Sequence, residues 1–258
     1  MGKVQRNLEA VMAMLEQRRG VSLGEVMAEL DVSESTARRL ISQLADEGRA
    51  VRCYGGLRPL QEYSYEMLEH TRLAEKRRIG RAAVAQIRPG DAVFLDSGTT
   101  TVCLAQALAS AIAAGTVGDV KVVTNSLTAA QALAACCPVT LTGGEYRLRR
   151  QDMAGFAGEK ALESLSFTKC FCGCDGISRT KGLMPTDPDT ARMVAMAMAR
   201  AEKCYCLADS TKFDRTSFLT FCPELERLEA ILTDEDLDVS RRKIYENHVR
   251  LILAEQEN

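Results

Sequence analysis

From residue 92 onward the chain repeats one arrangement: a short apolar run, a small polar loop, then a helix-like segment. The apolar runs are Ala92–Leu95, Val120–Thr124, Val139–Thr142, Lys169–Gly173, Cys204–Ala208 and Ala230–Thr233. Helical stretches are expected at 102–114, 126–135, 157–165, 188–201 and 238–249. Short apolar runs separated by helices require a largely parallel sheet, because a parallel strand is reached only by crossing back over a sheet face. The link from 124 to 139 holds a helix, so the strands it joins can be parallel. The expected fold class for this part is therefore α/β.

In open α/β sheets, ligands bind outside the carboxyl ends of the strands. The loops at those ends read Asp96-Ser97-Gly98-Thr99-Thr100-Thr101, Thr124-Asn125-Ser126, Thr142-Gly143-Gly144-Glu145, Asp175-Gly176-Ile177 and Asp209-Ser210-Thr211-Lys212. The first passes straight from a strand into a helix, where unpaired backbone N–H groups and the helix dipole favour an anion. Gly98 lets the backbone approach a ligand closely. A plain helix start with nothing bound is the alternative reading of this hexapeptide. Together the loops offer hydroxyl, amide, carboxylate and one ammonium, which suits a small polyhydroxylated anion. Asp96, Glu145 and Asp175 can accept from sugar hydroxyls, while Ser97 to Thr101 and Lys212 can hold a phosphate. The chain has no G-x-G-x-x-G and no Walker A sequence, so a nucleotide is not indicated.

The N-terminal part follows a different pattern. Residues 5–18 form an amphipathic helix on Leu8, Val11, Met12 and Leu15, ended by Gly20. Ser22 and Glu25 make a capping box for a second helix reaching Leu30. Asp31-Val32 turns, and Ser33 caps a third helix with Ala37, Leu40, Ile41 and Leu44 inward and Gly48 as its stop. Residues 49–57 alternate and then turn on Gly55-Gly56, as a two-stranded wing does. Three helices and a wing describe a winged helix-turn-helix, with the helix-turn-helix at about 21–40. Ser33, Ser35, Thr36, Arg38, Arg39, Ser42 and Gln43 are the residues expected to meet base edges or phosphates in a DNA groove. Arg52 and Arg58 flank the wing glycines Gly55 and Gly56. Residues 1–60 hold nine Lys/Arg and eight Asp/Glu, a net of +1, so DNA contact must come from a local patch. A helical dimerisation module is the alternative.

Residues 59–65 read as a linker, and 66–87 as a connector helix on Leu68, Leu73, Ile79, Ala82, Ala83 and Ile87 with a charged face at Glu75–Arg78. The expected division is 1–58 for the DNA-binding domain, 59–90 for linker and connector, and 91–258 for the α/β sensor. No run of about 18 apolar residues is present, and the start is charged and amphipathic, so a cytoplasmic protein with no membrane partner is expected. Ten cysteines without a secretion signal argue against disulfides. Cys170, Cys172 and Cys174 alternate onto one strand face, and Cys204 and Cys206 repeat the pattern. There is no C-x2-C pair, and His70 and His248 have no metal-like spacing, so packing thiols are expected, with a thiol or metal sensor as the alternative. No metal or cofactor is expected.

Over nearly its whole length the chain resembles the DeoR family of bacterial transcription regulators. The resemblance is carried by Val32–Arg39, Gly55-Gly56, Glu75-Lys76 with Ile79, Asp96–Thr101, Thr124–Leu127, Gly143–Glu145, Gly173–Ile177, Asp209–Phe213 and Leu232–Asp234. It implies a repressor of carbohydrate-metabolism genes that leaves double-stranded operator DNA when a phosphorylated sugar binds. It also implies a ribose-phosphate-isomerase-like sensor fold and a homodimer or homotetramer. The expected effector set is Asp96, Ser97, Gly98, Thr99, Thr100, Thr101, Asn125, Ser126, Gly143, Gly144, Glu145, Asp175, Gly176 and Lys212. The chain departs from the family pattern at Ala37, Leu40 and Ile41, where isoleucine, aspartate and leucine are usual, at Thr168, and across Pro185–Asp189. The alternative function is an aldose–ketose isomerase, suggested by the related fold and Asp175-Gly176. Isomerases follow that loop with an acidic residue, whereas here Ile177-Ser178-Arg179 stands.

Overall fold

Side-chain caps set the N-terminal elements. The computed structural model describes residues 3–17, 21–47, 49–53, 55–59, 65–185, 187–215 and 219–255. The chain divides into two compact units, Met1–Ser64 and Tyr65–Asn258. In the first, α1 (Lys3–Gln17) buries Leu8, Val11, Met14 and Leu15, with Met12 packed at the edge of the cluster. Strand β1 (Val21–Ser22) leads into α2 (Leu23–Leu30), where Ser22 Oγ accepts from Glu25 N–H and Glu25 reaches back to Ser22 N–H, closing the expected capping box. Asp31 ends α2 in the left-handed region at φ 48°, a conformation that a short polar side chain tolerates. Ser33 caps α3 (Glu34–Asp46), whose inner face is Ala37, Leu40, Ile41 and Leu44 as expected. The aliphatic Leu40 suits this core, where an aspartate would be buried unpaired. Strands β2 (Ala50–Cys53) and β3 (Gly56–Pro59) form the wing, and β1 adds to it in the order β1-β3-β2. The expected stops at Gly20 and Gly48, residues 60–64 of the linker, and the Arg58 side chain lie outside what is described.

The second unit opens with α4 (Tyr65–Glu69) and α5 (Leu73–Val84). This corrects the single connector helix expected over 66–87. Arg72, in the left-handed region at φ 52°, breaks it, and α5 packs on α6 and on the β13–β14 edge, inside the unit rather than between two domains. Lys76, on the charged face expected at Glu75–Arg78, is buried, and its ammonium donates to the Leu68 carbonyl. Of the charged stripe, Lys76 faces protein, whereas Arg77 remains exposed.

There follow β4 (Ala92–Leu95), α6 (Thr99–Ala113), β5 (Lys121–Thr124), α7 (Leu127–Leu133), β6 (Val139–Leu141), the hairpin β7 (Glu145–Arg147) and β8 (Asp152–Ala154), α8 (Phe156–Glu163) and β9 (Phe167–Cys172). The chain continues through the hairpin β10 (Gly176–Ser178) and β11 (Gly182–Met184), α9 (Pro188–Ala199), β12 (Ala201–Leu207), β13 (Ala230–Asp234), α10 (Val239–Glu246) and β14 (Leu251–Ala254). Seven strands form one sheet in the order β14-β13-β12-β9-β4-β5-β6. Every pairing in it is parallel. The α/β expectation is met; the two hairpins and β14 are additions to it. On one face Phe94, Cys170, Cys172, Cys204 and Cys206 pack with Leu162 of α8 and Met193, Val194 and Ala197 of α9. On the opposite face the rings of Phe171 and Tyr205 stack 5.0 Å apart.

Candidate functional site

The sheet order locates the crevice. After β4 the chain moves outward to β5 and β6, then returns to the other side of β4 through β9, β12, β13 and β14. The loops after β4 and β9 therefore leave in opposite directions and open a gap at the sheet's switch point. A side-chain carbon added at Gly98 would lie 3.7 Å from Gly173 Cα, so the two loops meet through glycine backbone. Asp96 Oδ2 accepts from Gly173 N–H at 3.2 Å. Burial pushes the Asp96 carboxyl up to about 6, against the pull of the Ser97 and Gly173 N–H groups. Thr101 Oγ1 donates to the Asp96 and Gly98 carbonyls, at 2.7 and 2.6 Å, so this threonine holds the turn together.

The start of α6, like those of α5 and α8, carries no side-chain cap, unlike five other helices. Ser22, Ser33, Ser126, Asp187 and Asp238 cap α2, α3, α7, α9 and α10 with a side-chain oxygen. At α6 the cap is Gly98, without a side-chain hydrogen bond. The first N–H groups of α6 are left for a ligand oxygen, beside the nearly buried Thr99 and Thr100.

A polar network backs this turn. Ser97 Oγ donates to Asp152 Oδ2 at 3.0 Å and accepts from Asn125 Nδ2 at 3.4 Å. Asn125 Oδ1 is buried without a hydrogen-bond partner among the described residues. Asp152 is wholly buried and gripped by Arg147 at 2.8 and 2.7 Å, a bidentate pair. Arg147 also donates to Asp187 Oδ1 at 2.7 Å and to Thr190 Oγ1 at 3.1 Å. Burial raises the Asp187 carboxyl, but the Arg147 guanidinium and the Thr190 N–H outweigh it and hold the group at about 2. Gly144, at φ 110°, sits where a side-chain carbon would meet the Ala154 carbonyl at 2.4 Å, so it shapes the β7–β8 hairpin. Gly143 is likewise at positive φ. Glu145 is exposed on β7 and makes no hydrogen bond with the Asp96–Ser97–Asp152 network. Ser126 is buried as the cap of α7.

The other lip is built from the ends of β9, β12 and β13. Asp175 is half-buried, with its N–H on the Met184 carbonyl. Gly176 faces the Arg215 carbonyl, 2.5 Å from where a side-chain carbon would stand, so only glycine fits there. Asp209 caps the short 3-10 turn Ser210–Lys212, which places Lys212 half-buried at its end. Buried Asp234 accepts from Ser210 N–H at 2.8 Å. Arg72 ties this lip together, reaching Asp236 at 2.5 Å, Asp234 at 3.1 Å, Ser210 at 3.4 Å and Asp209 at 3.7 Å. Arg72, Arg147, Asp152, Asp187 and Asp234 were not among the expected site residues. Arg147 and Asp152 carried one usable signal, opposite charges at the two ends of a short turn. Arg72 carried none.

In the first unit α3 presents Ser35, Arg38 and Arg39 outward, with Thr36, Ser42 and Gln43 half-exposed. Ser33 Oγ lies 3.1 Å from Ser35 Oγ and 3.0 Å from Thr36 Oγ1. Arg38 pairs with Glu34 at 2.6 Å, Gln43 donates to Glu47 at 2.8 Å, and Arg52 donates to Ser42 at 3.4 Å. The exposed Arg38–Glu34 pair is worth little in water and is readily exchanged for a phosphate. Gly55 turns the wing at φ 80°, and Gly56 gives β1 room, since a side-chain carbon there would meet the Val21 carbonyl at 2.1 Å. The two glycines thus shape the wing.

Comparison with known proteins agrees in both units. Residues 8–62 match the DeoR-like helix-turn-helix domain and residues 71–235 the DeoR C terminal sensor domain. The putative aga operon transcriptional repressor of Escherichia coli O157:H7 is 32% identical over 89% of this chain and 86% of that protein. The lactose phosphotransferase system repressor of Staphylococcus epidermidis is 31% identical over 95% of this chain and 97% of that protein. Among solved structures, a D-ribose-5-phosphate isomerase in complex with phospho-erythronic acid has a TM-score of 0.42 at 18% identity, over 54% of this chain and 52% of that one. A helix-turn-helix unit followed by a parallel α/β sensor, matched in order along the chain, makes this protein a member of the DeoR family of transcriptional regulators.

Proposed function

We propose that this regulator is a repressor that holds duplex operator DNA through α3 and the β2–β3 wing and releases it when a phosphorylated sugar enters the switch-point crevice. The observation that carries the sugar-phosphate reading is the uncapped start of α6 beside buried Asp96, Ser97 and Asn125. The N–H groups of Thr99 and Thr100 take phosphate oxygens, with Lys212 as the counter-charge from the opposite lip. Asp96 and Asn125 Oδ1 take sugar hydroxyls, and Asp175 adds a second carboxylate. Relatives named as repressors of sugar operons support the same direction of control. Arg38 and Arg39 supply the charge of the DNA face, Ser35, Ser42 and Gln43 its neutral donors and acceptors, and Arg52 the wing contact. Coupling is reciprocal: the sugar weakens the grip on DNA by the factor by which DNA weakens sugar binding.

A thermal-shift screen of the full chain against hexose and pentose monophosphates and the corresponding free sugars tests the site. At about a hundred times its dissociation constant a ligand stabilises by roughly 2.7 kcal/mol. The expected outcome is a shift with a phosphorylated sugar and none with its free form. Lys212→Ala weakens that binding by about 1.5–3 kcal/mol, the value of a hydrogen bond to a charged group. A shift left intact by Lys212→Ala removes this lysine from the site. Turnover of ribose 5-phosphate would instead support the isomerase; against it, the acid expected after Asp175-Gly176 is replaced by the wholly buried Ile177.

A further inference from the structure

We propose that Cys174 and Cys206 are a redox modification site, a thiol pair that closes reversibly into a disulfide at the rim of the crevice. Parallel pairing of β9 with β12 puts Cys170 opposite Cys204 and Cys172 opposite Cys206, so these thiols form a ladder on one sheet face. Cys170, Cys172, Cys204 and Cys206 are buried. Cys174, just past the end of β9, is half-buried and is the ladder's opening to solvent. Its Sγ lies 3.7 Å from Cys206 Sγ. A disulfide needs a sulfur separation of about 2.05 Å, so closure draws the two together by about 1.7 Å. Cys206 is fixed between β9 and β13, whereas Cys174 sits in a loop and is the one to move. A metal is the competing use of such thiols, but among the described residues no group of three or more His, Cys, Asp or Glu is arranged to hold one.

The chemistry is thiol–disulfide exchange with a low-molecular-weight disulfide, RSSR. The Cys174 thiolate attacks one sulfur of RSSR, the S–S bond breaks, and RS⁻ leaves and takes up the proton that Cys174 lost. The Cys206 thiolate then attacks the Cys174 sulfur and expels the second RS⁻, which is protonated likewise. The two protein thiols are oxidised by two electrons, RSSR is reduced to two RSH, and excess thiol reverses both steps. Hydrogen bonding to Cys172 and Cys174, together with burial, pushes the Cys206 thiol well above its usual range. A small thiolate fraction at Cys206 slows the second step.

The consequence for the crevice rests on the sugar-phosphate reading; the cross-link itself does not. Cys174 stands between Gly173, whose N–H serves Asp96, and Asp175, whose N–H serves the Met184 carbonyl. Drawing Cys174 toward β12 withdraws the Gly173 donor from Asp96 and reshapes the place assigned to the sugar.

The test uses the reduced full chain, oxidised glutathione, quenching by alkylation, and peptide mass mapping. The expected result is a glutathione adduct on Cys174 that converts to a Cys174–Cys206 cross-link, is reversed by dithiothreitol, and is accompanied by loss of hydrogen-exchange protection at the Gly173 amide. In Cys206→Ser the adduct persists on Cys174 without converting. Should that buried substitution fail to fold, Cys174→Ser at the half-buried position serves instead, and it forms no cross-link to Cys206. The proposal is overturned by a Cys174 adduct that never converts in the unsubstituted chain, or by a cross-link joining Cys170–Cys204 or Cys172–Cys206. A cross-link that leaves Gly173 exchange unchanged overturns the link to the crevice. Absence of any sugar-phosphate shift in both reduced and oxidised protein counts against the effector reading and leaves the mapped cross-link standing.

Discussion

Asp96 is costly for the fold in its ionised form, and the cost has a definite pH signature. In the unfolded chain its carboxyl titrates near 3.8; in the fold, burial delays this to about 6. Between those values the folded state binds more protons than the unfolded one, so this residue's contribution to stability falls as pH rises through the window. The full loss above it is on the order of 3 kcal/mol. Asp96→Asn removes the titration. Denaturant unfolding of both proteins should show the variant gaining relative stability between about pH 3 and about pH 7, values that bracket the window set by the shift. A stability difference that does not change with pH would mean that Asp96 is ionised in the fold throughout. Arg147 and Arg72 act on the same scale in the opposite sense, each placing a guanidinium among buried carboxylates that would otherwise be uncompensated.

Among the elements, α5 shows how a segment that looks like a connector becomes a layer of the sensor. Its crossing with α6 passes through Gly80, where a side-chain carbon would stand 2.6 Å from the Cys103 backbone. Backbone cannot yield as a flexible side chain does, so Gly80→Ala should force the helices apart and cost about 1–3 kcal/mol. The substitution favours an isolated helix, so a lowered melting temperature would report the packing alone, and an unchanged one would refute the close crossing. Arg72, at the α4–α5 break, holds a left-handed conformation that normally costs an L-residue about 1–2 kcal/mol and keeps it through its contacts with Asp234 and Asp236. Arg72→Asn suits the backbone and deletes the contacts. Hydrogen exchange should then rise at the Ser210 and Asp236 amides, which Asp234 accepts; unchanged exchange would make the guanidinium dispensable.

On the scale of the whole molecule, reading DNA and reading a small anion fall to separate units, and substitutions should separate them. Arg39 is exposed on α3, with no ion-pair partner among the described residues. Arg39→Ala should leave the thermal shift by sugar phosphates unchanged. On duplexes selected by the protein from a random pool it should reduce the salt slope of binding by about 1 if it meets a phosphate, or cost about 1–3 kcal/mol at one base position if it reads an edge. Equal loss of DNA and sugar binding would contradict separate roles. With residues 1–60 carrying a net charge of only +1, the proposed DNA contact rests on the local placement of Arg38, Arg39 and Arg52.

Periodicity and capping, which act over a few residues, were enough to read the three N-terminal helices, the wing, the alternation of strands and helices, and the polar strand ends. Ser22 with Glu25, Ser33, and the Asp96–Thr101 turn sit where local chemistry puts them, because a cap or a helix start is decided by its immediate neighbours. The tertiary structure alone decided what depends on contacts distant in sequence. It set the order of the seven strands and hence the switch point, and it turned Lys76 and α5 inward. It left Glu145 outside the network that Arg147 and Asp152 complete, brought Arg72 to carboxylates more than a hundred residues away, and placed Cys174 beside Cys206. Register and burial are properties of the assembled sheet, and no window of residues carries them until the strands have paired.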